Sequence, residues 1–194
     1  MRHIDAYCHF FPQGIFTKLS ATTGGTGKRI QGVRTIYDLE ARFRIMDGFE
    51  NYAQVLSLGL PPLEAMAGPQ DAPEFARVAN DGLAELCAKY PGRFCGYVGG
   101  LPMSAPDEAA KEAERILIHG NANGLQLHTN VDGLCLDEPR FLPVFRWRRR
   151  PASRSCCIRR APLRFQTSPP RRARATRSGP SSAGPMRRAP PWRG

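Results

Sequence analysis

Two short stretches hold the side chains able to do chemistry. The first, I-D-A-Y-C-H-F-F-P from Ile4 to Pro12, carries Asp5, Tyr7, Cys8 and His9, and the second, from Gly124 to Asn130, ends with His128 and Asn130. A neutral imidazole offers a nitrogen to a metal ion, so His9 and His128 are the residues to weigh as ligands. Each also has a plain structural reading. His9 can be a histidine packed beside Phe10 and Phe11, and His128 can end a strand and hydrogen-bond its backbone. Gly27 and Lys28 do not make a phosphate loop, because Thr22 stands where the earlier glycine is required and Arg29 replaces the hydroxyl that would bind magnesium. The six cysteines form no CxxC pair and no zinc-ribbon spacing, which favours reduced thiols and no structural disulfide.

The elements that must position these residues alternate along the chain. Arg2 to Tyr7 fits a buried strand ending abruptly before Phe10, Phe11 and Pro12, and Leu19 to Arg34 has no period and reads as a loop. From Thr35 the pattern turns helical, with Leu39, Phe43, Met46 and early acids Asp38 and Glu40. A strand over Tyr52–Leu58 follows, then a helix through Phe75, Ala79, Leu83 and Leu86 that ends near Pro91 and Gly92. A strand at Phe94–Val98, a helix at Pro106–Ile118, a strand at Gly124–His128 and a helix from about Asp137 complete the order βαβαβαβα. Such alternation implies parallel strands with right-handed crossovers, in either a doubly wound sheet or a (β/α)₈ barrel. No dinucleotide-type glycine fingerprint follows the first strand, so the barrel is preferred, and four units make half of one. Barrel chemistry sits at the C-terminal ends of strands, where Asp5, Tyr7, Cys8, His9 and His128 fall.

Charge divides the chain near Arg146. Residues 1–145 hold 13 Lys and Arg against 17 Asp and Glu, whereas residues 146–194 hold 15 Arg with no acid and no lysine. The overall +11 therefore belongs to the tail and says nothing about the folded part, which is mildly acidic. Arg, Pro, Ser, Ala and Gly dominate 146–194 with too few aliphatics for a core, so 1–145 reads as the folding part and 146–194 as a disordered basic tail. No stretch is apolar enough for a membrane span and the start lacks the apolar core of a signal peptide, which gives the expectation of a cytoplasmic protein with no membrane partner.

The opening stretch resembles the first strand of the amidohydrolase-related family that includes the aminocarboxymuconate-semialdehyde decarboxylases, whose usual form is I-D-x-H-x-H-x-x-P. Y-A-Q-V-L-S-L-G-L-P-P at Tyr52 to Pro62, R-F-C-G-Y-V-G-G-L-P-M at Arg93 to Met103, and N-G-L-Q-L-H-T-N-V-D-G at Asn123 to Gly133 with L-D-E-P-R-F-L-P-V-F after it are similar to that family in order and spacing. The resemblance covers residues 2–145 and implies the N-terminal half of a metal-dependent (β/α)₈ enzyme. Its activity would be a carboxy-lyase acting on a small carboxylated or ring-cleavage substrate, with hydrolase or hydratase as the runner-up. The family's first motif gives two histidines to a divalent metal, zinc by expectation. Here the first of those positions is Tyr7, a poor zinc ligand, and only His9 carries over. The resemblance makes His128 and Asn130 substrate contacts, Asp5 a packing or supporting carboxylate, and Cys8 a residue pointing away from the ion.

The remaining ligands of the family follow position 145, and this chain has no histidine after His128. Joining each tail codon's third base to the first two bases of the next permits G-L-P-V-L-L-H-P over Pro151–Arg159 and W-P-Y-E-T-S-A-A-M-A-R over Ala183–Gly194, both family-like. The tail then reads as out of frame. Two other readings stand beside it: a basic arm binding nucleic acid without sequence specificity through phosphate neutralisation, and an open barrel that associates with itself or a partner through its exposed edges.

Overall fold

The computed structural model describes residues 1–20, 30–145 and the backbone of 156–159. Its main sheet has five strands, β1 (His3–His9), β2 (Tyr52–Ser57), β3 (Phe94–Gly100), β4 (Gly124–His128) and β7 (Cys156–Arg159). All four pairings are parallel and the spatial order follows the chain. Helices occupy the crossovers: α1 (Gln13–Ser20) and α2 (Leu39–Met46) after β1, α3 (Ala72–Lys89) after β2, and α4 (Pro106–Ile118) after β3. A sheet wound in chain order with a helix per crossover is the winding of a (β/α)₈ barrel, here its curled N-terminal part. A two-stranded ribbon, β5 (Asn130–Val131) with β6 (Leu134–Cys135), follows β4 and turns at Asp132 and Gly133, both at positive φ. The short α5 (Leu142–Phe145) closes the continuous part.

Local chemistry sets the ends of these helices. The Asp38 carboxylate accepts the Ala41 amide at 3.1 Å and caps α2, while Pro73 and Pro106 fill first-turn positions of α3 and α4 where no amide partner is needed. α3 turns Phe75, Ala76, Ala79 and Leu83 inward, and α4 turns Ala109, Ala113 and Ile116. The small residues matter because the backbones come close. A Cβ on Gly99 would lie 2.2 Å from Ile116 Cδ1, and one on Gly96 would lie 1.8 Å from Asn123 Oδ1.

One polar cluster ties α3 and α4 to the sheet. Asn80, fully buried, donates to Gly100 O at 2.9 Å and to Glu112 Oε1 at 2.7 Å, and accepts from Gly100 N at 2.9 Å. Arg115 then grips Glu112 in a two-pronged contact at 2.7 and 2.8 Å and reaches Asp81 at 2.7 Å. A buried carboxylate is tolerable in this setting because both its oxygens are satisfied.

Three local expectations need correction. Gln13–Ser20 is a helix where only loop was expected after Pro12: Ile15 and Leu19, four residues apart, bury against the core at 0% and 3% exposure and supply the packing that propensity does not. The helix expected from Thr35 starts at Leu39, after a 3₁₀ turn at Arg34–Ile36, and that expected from about Asp137 starts at Leu142, after a 3₁₀ turn at Pro139–Phe141. β7 pairs with β4 along Leu125–His128. The rest of the span read as a tail, and the glycine-rich 21–29, lie outside the described residues.

Asn80→Ala removes three hydrogen bonds and strands the Gly100 backbone and Glu112. The expected loss is about 2–4 kcal/mol of stability by urea unfolding, against little change for exposed Glu74→Ala, whose contact is a surface pair with Arg77.

Candidate functional site

β1 and β2 form the first wall of the site. Their ladder slips by one residue, since Asp5 faces Gln54 and Cys8 faces Leu56, which places a bulge at Ala6 and Tyr7. The bulge sorts the side chains into two groups. In the first, the Tyr7 and His9 rings meet edge-on with centroids 5.1 Å apart, and His9 Nδ1 lies 2.9 Å from Oγ of fully buried Ser57. The Gly59 backbone passes so near that a Cβ there would lie 3.0 Å from the Phe11 ring and 3.7 Å from His9 Cβ.

The second group is a relay of polar contacts leading away from His9. Tyr52 donates its hydroxyl to Asp5 Oδ2 at 3.0 Å, Gln54 donates to the Tyr52 oxygen at 2.9 Å, and Arg42 Nε donates to Gln54 Oε1 at 2.7 Å. Arg42, only 7% exposed, also donates to the carbonyls of His9 at 2.8 Å and Thr35 at 3.0 Å. The guanidinium thus holds the C-terminal end of β1 in place. Hydrogen bonding from the Cys8 thiol, with that from Tyr52 and the Tyr7 amide, holds Asp5 below the usual carboxylate range against the opposing effect of burial. Burial, then the neighbouring Asp5, pushes the Cys8 thiol up to about 12, so Cys8 is a packed thiol and no nucleophile.

At the far side, β4 ends in His128, 7% exposed, beside a crevice lined by Leu58, Glu64, Met103 and Gln126. The crevice measures about 10 Å³, room for roughly one water. His9 does not line it, and neither does Asn130, which opens the β5–β6 ribbon opposite Cys135. The far larger groove of about 830 Å³ runs over the outer faces of α1, α2 and α3, carries no histidine or cysteine and lies off the strand ends. The strand ends, with their histidines, are the better site.

Glu64 is the residue sequence reading passed over. It sits in the 3₁₀ turn Leu63–Ala65, where Pro61 and Pro62 looked like a simple strand stop. Burial, with a smaller contribution from Asp132, raises its carboxyl to about 7. The available signal was a lone acid inside the otherwise apolar L-E-A-M-A-G run.

A catalytic divalent-metal site needs three or so donors converging on one point. Among the described residues no group of three His, Cys, Asp or Glu does so, and the phenol of Tyr7 stands beside His9 where a second imidazole is needed. These residues do not fit a metal centre by themselves.

Comparison with known proteins places this arrangement. A family model described as amidohydrolase matches residues 4–184. The γ-resorcylate decarboxylase of Rhodococcus jostii is 37% identical over 115 residues, covering 55% of this chain and 35% of that protein. The 2-amino-3-carboxymuconate-6-semialdehyde decarboxylase of Dictyostelium discoideum is 32% identical over 109 residues, covering 56% and 30%. The crystal structure of a dihydroxybenzoic acid decarboxylase from Polaromonas, solved with manganese and 2-nitroresorcinol, superimposes with a TM-score of 0.59 at 30% identity, covering 75% of this chain and 46% of that one. The chain spans about a third of the length of the curated relatives and just under half of the solved one.

Glu64 sets a pH test. Its carboxyl binds a proton more tightly folded than unfolded, so between the ordinary carboxylate value and about 7 the folded state holds the extra proton and stability falls as pH rises. Urea unfolding from pH 5 to pH 8 is expected to lose on the order of 2 kcal/mol that Glu64→Gln retains. Identical pH profiles for the two proteins contradict the half-buried placement of Glu64.

Proposed function

The chain belongs to the amidohydrolase family, and from that premise we propose that it is the N-terminal part of a metal-dependent decarboxylase acting on a small carboxylated aromatic or ring-cleavage acid. The observation that carries this reading is His9 at the end of β1, in the strand-end position from which barrel enzymes work, on a half-barrel whose relatives are decarboxylases. In the whole enzyme His9 is a ligand to a divalent ion, manganese or zinc, and the solved Polaromonas relative contains manganese. His128 contacts the substrate from β4, and Asn130 does so from the ribbon that follows. The roughly 10 Å³ beside His128 cannot admit a carboxylated ring, so the substrate occupies space that further strands enclose.

The 194-residue chain itself is then expected to have no metal-dependent turnover, because its described residues lack a converging donor set. Its open edges favour self-association: Ile4 on β1 is 55% exposed, and among the described residues the β1 backbone has a hydrogen-bonded neighbour on one side only. Small-carboxylate binding, a cytoplasmic location and the absence of specific nucleic-acid binding complete the reading.

A chimera tests the function. Residues 1–145 are joined to the second half of the Rhodococcus γ-resorcylate decarboxylase and assayed for CO₂ release from γ-resorcylate with manganese or zinc, with circular dichroism to confirm folding. The Tyr7→His form is expected to turn over, and the Tyr7 form to be slower by more than about 100-fold, the upper scale for disturbing a metal's surroundings. A folded, metal-loaded Tyr7→His chimera that leaves γ-resorcylate and 2-amino-3-carboxymuconate-6-semialdehyde untouched removes the decarboxylase reading.

A further inference from the structure

We infer that residues 146–194 are the shifted translation of a segment that encodes the next part of the same barrel, and that one base is missing between the codons of Leu142 and Pro151. The structural observation is β7. Cys156–Arg159, although inside the Arg-rich tail, takes the place of the fifth parallel strand, pairing Leu125 with Cys156 through His128 with Arg159. Cys156, Cys157 and Ile158 are apolar enough for a strand, but the written run around them, P-A-S-R-S before and R-R after, is not the continuous apolar run of a buried parallel strand.

The genetic code supplies that run in another frame. Cys156 and Cys157 are each encoded by TGT or TGC, so the third base of the first joined to TG of the second gives TTG or CTG, and both are leucine. At the junction of Cys157 with Ile158, T or C followed by AT gives only tyrosine or histidine. With TCN serine codons, Ala152–Ser153 and Arg154–Ser155 give Phe, Leu, Ile or Val. The segment can then read G-L-P-V-L-L-H-P, an apolar strand ending in a histidine at the C-terminal edge of the sheet beside His128. That frame also returns helix-forming acids to a tail that has none. Trp147–Arg148, Met186–Arg187 and Trp192–Arg193 each join a G to CG or AG, which encodes Ala or Glu.

The composition break has the same origin. A run of GCG and GAG codons for Ala and Glu, read after the loss of one base, becomes CGG and AGG, both arginine. This converts an acidic amphipathic helix into an acid-free arginine run, which is the change at Arg146 just after α5. The direction of the shift follows too: a true codon assembled from a third base and the next two is what a single lost base produces.

The test is independent of any enzymatic activity. The coding DNA and its transcript are sequenced across the codons of Leu142–Gly194 and translated in the frame one base earlier. The expected result is a frame without stop codons that encodes the strand segment at Pro151–Arg159 and W-P-Y-E-T-S-A-A-M-A-R at Ala183–Gly194. A chain with one base restored before Pro151, carried on to that frame's own stop, is expected to be soluble and to melt cooperatively at a temperature at least several degrees above the 194-residue chain. A stop codon in the alternative frame before Gly194, or codons giving serine, arginine or cysteine at the Pro151–Ala152 junction and polar residues after it, overturns the inference.

Discussion

Every strand of a parallel barrel needs a hydrogen-bonded neighbour on both sides, and much of what is unusual about this chain follows from that need. β2, β3 and β4 have two neighbours each, and their burial is nearly complete: Leu56, Ser57, Tyr97, Val98, Leu125 and Leu127 are all below 7% exposed. β1 has one. Its first four residues are exposed although Ile4 is of a type that belongs inside, and only Cys8, shielded on the helix side, reaches core burial. The gradient of burial across the sheet is therefore a gradient of completeness. It marks β1 as the edge of the described sheet, the position a closed barrel would cover with a further strand.

That same edge strand carries the site, so the local devices that hold it acquire functional meaning. Arg42 is a buried cation stabilised by two carbonyls, the Gln54 amide oxygen and the Phe10 ring at 5.4 Å. Its desolvation lowers its affinity for a proton, a cost that fixes the His9 carbonyl and hence the direction in which His9 leaves the strand. The bulge before Cys8 completes the arrangement, because it puts Asp5 into the Arg42 relay and leaves Tyr7 and His9 facing each other. One inserted residue thus separates the structural carboxylate from the chemical imidazole.

The fold was legible wherever a pattern is local. The strands at Tyr52, Phe94 and Gly124 and the helix at Pro106–Ile118 appear where apolar runs, proline and first-turn acids put them. α1 was not legible, because eight residues with two buried aliphatics are helical through tertiary packing alone. β7 falls inside the Pro151–Arg159 segment that reads as family-like only in the other frame; in the frame as written, the arginines and prolines around it hide a strand. At the site, the sequence located His9 and His128 at strand ends, but it could not place them in separate surroundings or assign Glu64 to the crevice beside His128. Those relations join residues more than fifty positions apart and depend on how the loops after β2 and β4 fold over.

Tyr7 and the tail are separable departures from the family pattern, and their joint occurrence is informative. A frame broken for long would collect stop codons and lose any apolar run, so a second frame that still permits a barrel strand places the break after the sequence had been shaped as a whole barrel. Tyr7 then belongs to that whole barrel. Its ring meets that of His9 edge-on, and His9 is in turn held by Ser57 and crowded by the Gly59 backbone, so the residue at position 7 is part of how His9 is set. On this ordering the first strand departs from the two-histidine form at Tyr7, a phenol where that form has an imidazole. The first strand, and not the tail, is where the chemistry of this branch of the family diverges.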